Sequence, residues 1–370
     1  MNFDFTEEQT LLADALHRCL SEQADFATRK RTLHSDTGWS RALWTVLAEL
    51  GVPATMLADT DGGLGGGAIE LALIARATGA ALCLEPIGSS LVANLTLARL
   101  APAGLRTRIA PSLAAGTRIA VPTFESPYTV LQATRHDAAY RLSGTARVVY
   151  HAPCADQFLL AACTAGSTIA DTLFLIPANA AGLLAVPCTS VDGQRAADLH
   201  LTDVQATTAD TLISHDAAAV QWSVDVGILA LAAETLGSVE RSIALTIDYL
   251  KTRNQFGGPI GRFQALQHRV VGCLAKVEEL HTMVFVAAAR LDGEPMLRRT
   301  TIAALKVIAC ETAQHVGEEV VQLHGGMGVT EEMEISHHFR RLVAAGIRFG
   351  SRDQHLAAYT ALRFPPSQSA

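Results

Sequence analysis

Apolar residues recur at Phe263, Leu266, Val270, Leu274, Val277, Leu280 and Val284, in alternating steps of three and four. That spacing draws one stripe along an α-helix and suits the seam of a helix bundle. Pro259 and Pro295 fall between such runs, where a residue without an amide donor does least harm. Leu and Ala also recur at helical spacing before residue 117, with breaks at Ser35 to Gly38, Asp59 to Gly67 and Pro86 to Gly88. From Thr117 the texture changes. Clusters such as Tyr140-Arg-Leu-Ser-Gly and Arg147-Val-Val-Tyr alternate with Gly, Pro and Asp turns, which predicts a small antiparallel β domain. The pattern therefore predicts a helical domain over 1–116, a β domain over 117–218 and a C-terminal helix bundle over 219–370.

Composition narrows the function classes. Hydrophobic residues make up 49% of the 370 and charged residues 18%, too apolar for disorder and suited to a large subunit interface. Lys and Arg number 29 against 36 Asp and Glu, with no basic block to track a phosphate backbone, so nucleic acid is not expected as a partner. The opening residues carry Asp4, Glu7 and Glu8 where a secretory signal needs a basic region, which points to a cytoplasmic protein. Apolar runs such as Val226 to Ala233 stop at residues such as Glu234, far short of the roughly 20 residues of a membrane span, so no membrane is expected. Seven scattered cysteines without a Cys-x-x-Cys pair read as reduced thiols rather than disulfides or a zinc site.

The glycine run Asp61-Gly-Gly-Leu-Gly-Gly-Gly lies between helical segments rather than in a βαβ unit, so it reads as an interhelical turn and not a phosphate cradle. Two later stretches carry more information. Lys251-Thr-Arg-Asn-Gln-Phe-Gly-Gly-Pro-Ile comprises a helix end and a tight turn, and Gln322-Leu-His-Gly-Gly-Met-Gly places glycines after a helix, where backbone amides can approach an anion.

In this order and behind this domain pattern, the two stretches resemble the Arg-x-x-Phe-Gly-x-Pro-Ile and Gln-Ile/Leu-His-Gly-Gly motifs of the acyl-CoA dehydrogenase family. The resemblance extends to the opening Phe-x-x-Glu-Gln, to Leu50-Gly51, to Gly62-Gly63-Leu64-Gly65 and to Gly144 through Asp156. It implies an N-terminal helical domain, a middle antiparallel β-barrel and a C-terminal four-helix bundle. It also implies a dimer of dimers with FAD shared across a subunit interface, an acyl-CoA substrate and an electron-transferring flavoprotein as electron acceptor. The residues lent to a neighbour's flavin would be Arg253, Gln255, Phe256, Gln322, Leu323, Gly325 and Gly326, with Ser351 nearby. A guanidinium fork pairs well with pyrophosphate oxygens, and glycines remove side-chain bulk.

The half-site that would hold the chain's own flavin departs from the family wording. Thr-Glu-Pro-x-x-Gly-Ser-Asp is replaced by Thr123-Phe-Glu-Ser-Pro-Tyr-Thr-Val, and Trp-Ile-Thr-Asn by Val148-Val149-Tyr150-His151. The family's glutamate removes the acidic α-proton of the acyl-CoA. One family position for it falls on Phe349 and the other on Gly227, neither of which accepts a proton; Asp225, read as a residue near a helix start, is the nearest substitute. The asymmetry implies one subunit of a heterotetramer of the steroid side-chain type, whose partner supplies the base. The segment Glu334-Ile-Ser-His-His-Phe-Arg-Arg-Leu resembles that subgroup. A homomeric enzyme using Asp225, or a non-catalytic scaffold on the same fold, are the alternatives. Glu331, Glu332 and Glu334 read as a solvated charge run. His324, His337 and His338 read as structural residues without carboxylate partners or metal-ligand spacing, so no metal is expected. Trp44 and Trp222 read as core aromatics.

Overall fold

The computed structural model describes residues 5–126, 129–137, 139–209 and 211–364. Within them α1 Glu7–Gln23, α2 Phe26–Leu33, α3 Arg41–Glu49, α4 Ala68–Ala80, α5 Ile87–Leu100 and α6 Ala103–Ala114 precede any strand. Strands β1 Ala120–Pro122, β2 Val130–His136, β3 Ala139–Tyr150, β4 Gln157–Thr164, β5 Thr172–Pro177, β6 Leu183–Thr189, β7 Arg195–Thr207 and β8 Leu212–His215 follow. Helices return as α7 Ala217–Thr252, α8 Gln264–Arg290, α9 Pro295–His324, α10 Glu334–Ala345 and α11 Arg352–Arg363. A short hairpin, β9 Asn254–Gln255 and β10 Gly258–Pro259, separates α7 from α8. Local sequence sets several of the helix ends. Thr6 and Ser351 each close a capping box with a glutamine three residues on, and the Ser40 hydroxyl accepts from the Leu43 amide at 3.2 Å.

Two compact units interleave along the chain: Met1–Phe26, Ala72–Cys83 and Leu231–Ala370 form one, and Ala27–Leu71 with Leu84–Ala230 form the other. The second unit holds the sheet, in the order β6-β7-β3-β2-β4-β5-β8 with β1 beside β4. It is mixed rather than wholly antiparallel, because β4 pairs in parallel with both β1 and β2. The β2–β3 hairpin supplies the reversal: after it the chain returns beside β2 in the same direction. β4 and β5 are buried almost without a break, as strands covered on both faces must be. Leu97, Leu105, Ile109 and Leu113 from α5 and α6 join Leu159, Leu173 and Leu175 in one core cluster. The interhelical glycine turn belongs to this unit. A Cβ on Gly63 would lie 2.1 Å from the Leu57 carbonyl oxygen, so packing alone requires a glycine there.

In the first unit α9 packs against α8, α10 and α11. The seam of α8 runs through Val270, Cys273, Val277, Leu280, Val284 and Ala287. Leu274 and Phe263, predicted for it, stay 40% and 37% exposed. Cys273 takes the inward step because the buried series keeps its phase through Val270 and Val277, and Phe263 sits before the first helical residue. α7 and α4 approach closely: a Cβ on Gly237 would lie 1.8 Å from the Arg76 carbonyl oxygen and one on Gly79 2.0 Å from that of Glu234. Contrary to the reading by uninterrupted runs, α7 is long and apolar enough to span a membrane by length and composition. Yet 72% of its most apolar stretch is buried inside the fold, as in a core helix.

Candidate functional site

The two late motifs meet at one end of the first unit. The Arg253 amide donates to Tyr249 O at 2.8 Å, ending α7, and the Ile260 amide donates to Arg253 O at 2.9 Å, closing the hairpin. Gly258 pairs with Gln255 and Pro259 with Asn254, leaving Phe256 and Gly257 as a two-residue turn. Their φ values of 53° and 83° are those of a turn with both central residues left-handed, which a phenylalanine adopts only under strain. Phe256 is nevertheless 81% exposed. One turn earlier the Tyr249 ring stacks on His324, with centroids 4.4 Å apart, and its hydroxyl donates to His324 O at 3.4 Å. That contact sets the end of α9 beside the end of α7. His324 is held by Val320 O at 2.8 Å from Nδ1, and burial pushes its pKa down. It has no carboxylate partner among the described residues, as the sequence suggested.

Arg253, Gln255, Gln322, Gly325 and Gly326 all face outward here. Among the described residues Arg253 has no ion pair. A Cβ on Gly325 or Gly326 would meet nothing within 4 Å, so this chain's own packing explains neither bare position. Gly325, at φ 62° and ψ −145°, requires glycine for its backbone, and its amide already donates to Gln322 O as the helix cap. The amide of Gly325 is therefore committed, and Gly326 is the glycine whose missing side chain leaves open approach. Leu323 is 6% exposed and packs inward, so its side chain is core rather than contact surface.

Phe349 occupies a buried left-handed position at φ 56°, followed by Gly350 at φ 98°. The loop is pinned from beneath. Lys306 Nζ donates to Ala345 O at 2.7 Å, His355 Nε2 lies 2.7 Å from Phe349 O, and Arg348 reaches Glu234 at 3.5 Å. Burial pushes both Lys306 and His355 down, away from their charged forms. Ser351 is the N-cap of α11 and accepts from the Gln354 amide, so its hydroxyl has a structural role here.

In the other unit the flavin-edge positions Val149, Tyr150 and His151 turn inward, while Val148 stays 38% exposed. Val148, at φ 49° in a register shift between β3 and β7, is a β-branched residue in left-handed backbone; its amide donates to Asp198 Oδ1 at 2.8 Å. The Tyr150 hydroxyl lies 2.9 Å from Ser190 Oγ. His151 is buried, with Nδ1 3.0 Å from Ser89 Oγ and Nε2 3.4 Å from Gln194 Nε2, and Ser89 also donates to Glu125 Oε1 at 3.3 Å. Thr123 is buried, and Pro127 and Tyr128 of the same motif lie outside the described residues.

Asp225 is fully buried two turns into α7, not at its start as the sequence suggested, and accepts from Gln221 Nε2 at 2.9 Å. Gly227 is buried as well. The acidic run is also not simply solvated. Glu334 is chelated by Arg241 at 2.9 and 3.2 Å and lies 3.5 Å from His338 Nε2, whose Nδ1 meets Ser238 Oγ at 2.8 Å. Burial pushes the Glu334 carboxyl up, but hydrogen bonds from His338 and Arg241 outweigh it and hold the pKa at about 2. Glu331 pairs with Arg340 at 2.6 Å and with His337 at 3.3 Å. Both histidines therefore have carboxylate partners, against expectation. The Glu334–His338 spacing of four was the available signal, since it places the pair on one helix face. No group of three or more metal-ligating side chains occurs among the described residues. Trp44 donates to Gly116 O at 2.8 Å and Trp222 lies under Arg99 at 4.5 Å, both buried.

Comparison with known proteins gives the arrangement its kinship. Residues 6–117 match the profile of the acyl-CoA dehydrogenase N-terminal domain and residues 217–360 that of the C-terminal domain. Acyl-CoA dehydrogenase IpdE2 of Mycobacterium tuberculosis is 28% identical over 339 residues, covering 90% of this chain and 91% of its own. FadE27 of the same organism, also named an acyl-CoA dehydrogenase, is 28% identical over 311 residues, covering 81% and 82%. Among solved structures, the ChsE4-ChsE5 complex from M. tuberculosis superposes with a TM-score of 0.92 at 25% identity, covering 99% of this chain and 100% of that one. A Tcur3481-Tcur3483 steroid ACAD variant gives 0.90 at 27% identity, with 96% and 98% covered. With both terminal domains matched and the fold shared along nearly its whole length, the chain belongs to the acyl-CoA dehydrogenase family.

Proposed function

We propose that this chain is one subunit of a flavin-dependent enzyme that oxidises an acyl-CoA thioester to a 2-enoyl-CoA. In this reading it lends half of an FAD site to a catalytic partner subunit. The donor set fits the adenosine diphosphate end of FAD. Arg253 offers an exposed guanidinium, without an ion pair among the described residues, to the pyrophosphate, Gly326 leaves the backbone open to close approach, and Phe256 presents an aromatic face. Gln255 and Gln322 add exposed amide groups beside them.

The residues at the flavin-ring end do not fit. Val148 carries no aromatic face, and Tyr150 and His151 are already engaged within their own unit. FAD, when bound, accepts the β-hydrogen of the acyl-CoA as a hydride. The accompanying α-proton needs a carboxylate at the reacting carbon. Phe349 and Gly227 supply none, and Asp225 is sealed inside α7 with Gln221 on its carboxylate. The base therefore comes from the partner. The relatives support the pairing, since the ChsE4-ChsE5 structure is of a complex and the Tcur3481-Tcur3483 protein is a steroid ACAD. A steroid or other bulky acyl-CoA as substrate, a heterotetramer, an electron-transferring flavoprotein as acceptor and a cytoplasmic location complete the reading.

The observation that carries it is the contrast between an outward Arg253 and an open Gly326 on one side and an inward, occupied His151 on the other. The visible spectrum of the chain purified alone and co-expressed with a neighbouring dehydrogenase subunit tests it. The expected result is a colourless lone chain and a yellow complex, with about one FAD per pair, that bleaches on adding acyl-CoA. Stoichiometric FAD in the lone chain, bleached by acyl-CoA, would overturn it.

A further inference from the structure

The turn that carries Phe256 is held by a residue outside the family motif. Arg262 follows the hairpin by one short helical turn, and its guanidinium reaches back to donate to Phe256 O and, at 3.4 Å, to Gly257 O. Both carbonyls of the strained turn are thus bound by one rigid fork. The same guanidinium lies 5.2 Å from the Phe263 ring centroid, and Phe263 meets Phe256 edge to face with centroids 6.0 Å apart. A Cβ on Gly258 would come within 3.0 Å of Arg262 Nη1, so the glycine after the turn leaves room for the fork. No carboxylate pairs with Arg262 among the described residues, and its side chain is exposed.

A large aromatic in left-handed backbone at the tip of a two-residue turn is costly, and such strain persists only where the surroundings over-determine it. Burial does not hold Phe256 in place, since four-fifths of its surface is open. The only described groups that hold the turn from outside its own hairpin are Arg262 and Phe263. We infer that Arg262 is a positioning residue: its fork locks the Phe256-Gly257 turn so that the aromatic ring is presented, already ordered, to the adenine end of the cofactor held with the neighbouring subunit. Ordering the ring beforehand spares that cost at binding. This rests on the shared-site reading above.

The test uses Arg262→Met, Arg262→Lys and Phe256→Ala with two readouts. Amide hydrogen exchange at Ile260, whose N–H closes the hairpin onto Arg253 O, reports the clamp without any flavin. Exchange there should rise about tenfold in both Arg262 variants, as expected when a charge-assisted hydrogen bond is lost. FAD retention by the co-expressed assembly reports the consequence. Arg262→Met should weaken it about tenfold in the native background and less than about twofold when Phe256 is already alanine, because the two residues act as one unit. Unchanged exchange at Ile260 overturns the inference. So does full rescue by lysine, which keeps the charge and loses the fork, or an equal loss of FAD with and without Phe256. An assembly that never holds FAD refutes the shared-site reading instead, and the exchange rates then decide the clamp alone.

Discussion

Gly326 offers a perturbation that separates folding from binding. A Cβ built there meets no atom within 4 Å, and its φ lies outside the left-handed range, so alanine fits both the space and the backbone. Two residues on, Gly328 differs: its Cβ would lie 2.8 Å from the Val321 carbonyl oxygen and 3.1 Å from the Cβ of His324. In the lone chain Gly326→Ala should therefore leave stability unchanged or raise it by about 0.5 kcal/mol through the unfolded state. Gly328→Ala should cost roughly 1–3 kcal/mol, as overpacking against main chain does. In the assembly the order reverses for cofactor affinity. A methyl group that holds the pyrophosphate away from the backbone forfeits close contacts of about 1.4 kcal/mol or more, so FAD should dissociate at least about tenfold more readily from Gly326→Ala. Chemical denaturation of the lone chain and fluorescence of released FAD from the complex read the two effects separately. Unaltered FAD affinity in a normally folded Gly326→Ala variant would refute the placement of the cofactor against this glycine. A loss of more than about 1 kcal/mol in the lone chain would refute the open space itself.

Acid stability should depend on Glu334. Its folded pKa of about 2 lies below the ordinary carboxylate value of 4.5, so its contribution is present above pH 4.5 and drains away as pH falls towards 2. Discounted for the solvent that reaches it, the carboxylate is worth about 2 kcal/mol; Glu334→Gln should lose that at pH 7 and flatten the acid limb of the denaturation profile below pH 4.5. Asp225→Asn should leave turnover of the assembly within about twofold of the native rate, whereas deletion of a general base costs about 10²- to 10⁴-fold; steady-state kinetics at saturating acyl-CoA decides between them. Val148→Asn should raise the stability of the chain by about 1 kcal/mol, since asparagine tolerates the left-handed backbone that a β-branched residue resists. A melting temperature that falls would show that the valine side chain contributes more than the strain costs.

Helix, sheet, helix was legible from periodicity, because α8 buries Val270, Val277, Leu280 and Val284 at the phase the sequence marks. Local chemistry likewise set the caps at Thr6 and Ser351 and the punctuation at Pro259 and Pro295. The motif residues Arg253, Phe256 and Gln322 and the absence of a carboxylate at Phe349 were also readable, since each is a matter of residue type at a position.

Pairing was decided elsewhere. That Ser238 meets His338 and Arg241 meets Glu334, or that His151 turns onto Ser89 and Gln194, depends on helices and strands brought together from as many as 100 residues away. The parallel course of β4 beside β2 comes from where the chain re-enters the sheet, not from the residues of either strand. The clamp of Arg262 needed the hairpin to form before a guanidinium six residues on could find its carbonyls. Residue type and spacing carry what the backbone does locally and what chemistry a side chain can perform. Which partner satisfies it, and whether it faces solvent or core, is set by burial and long-range geometry that a linear pattern does not contain.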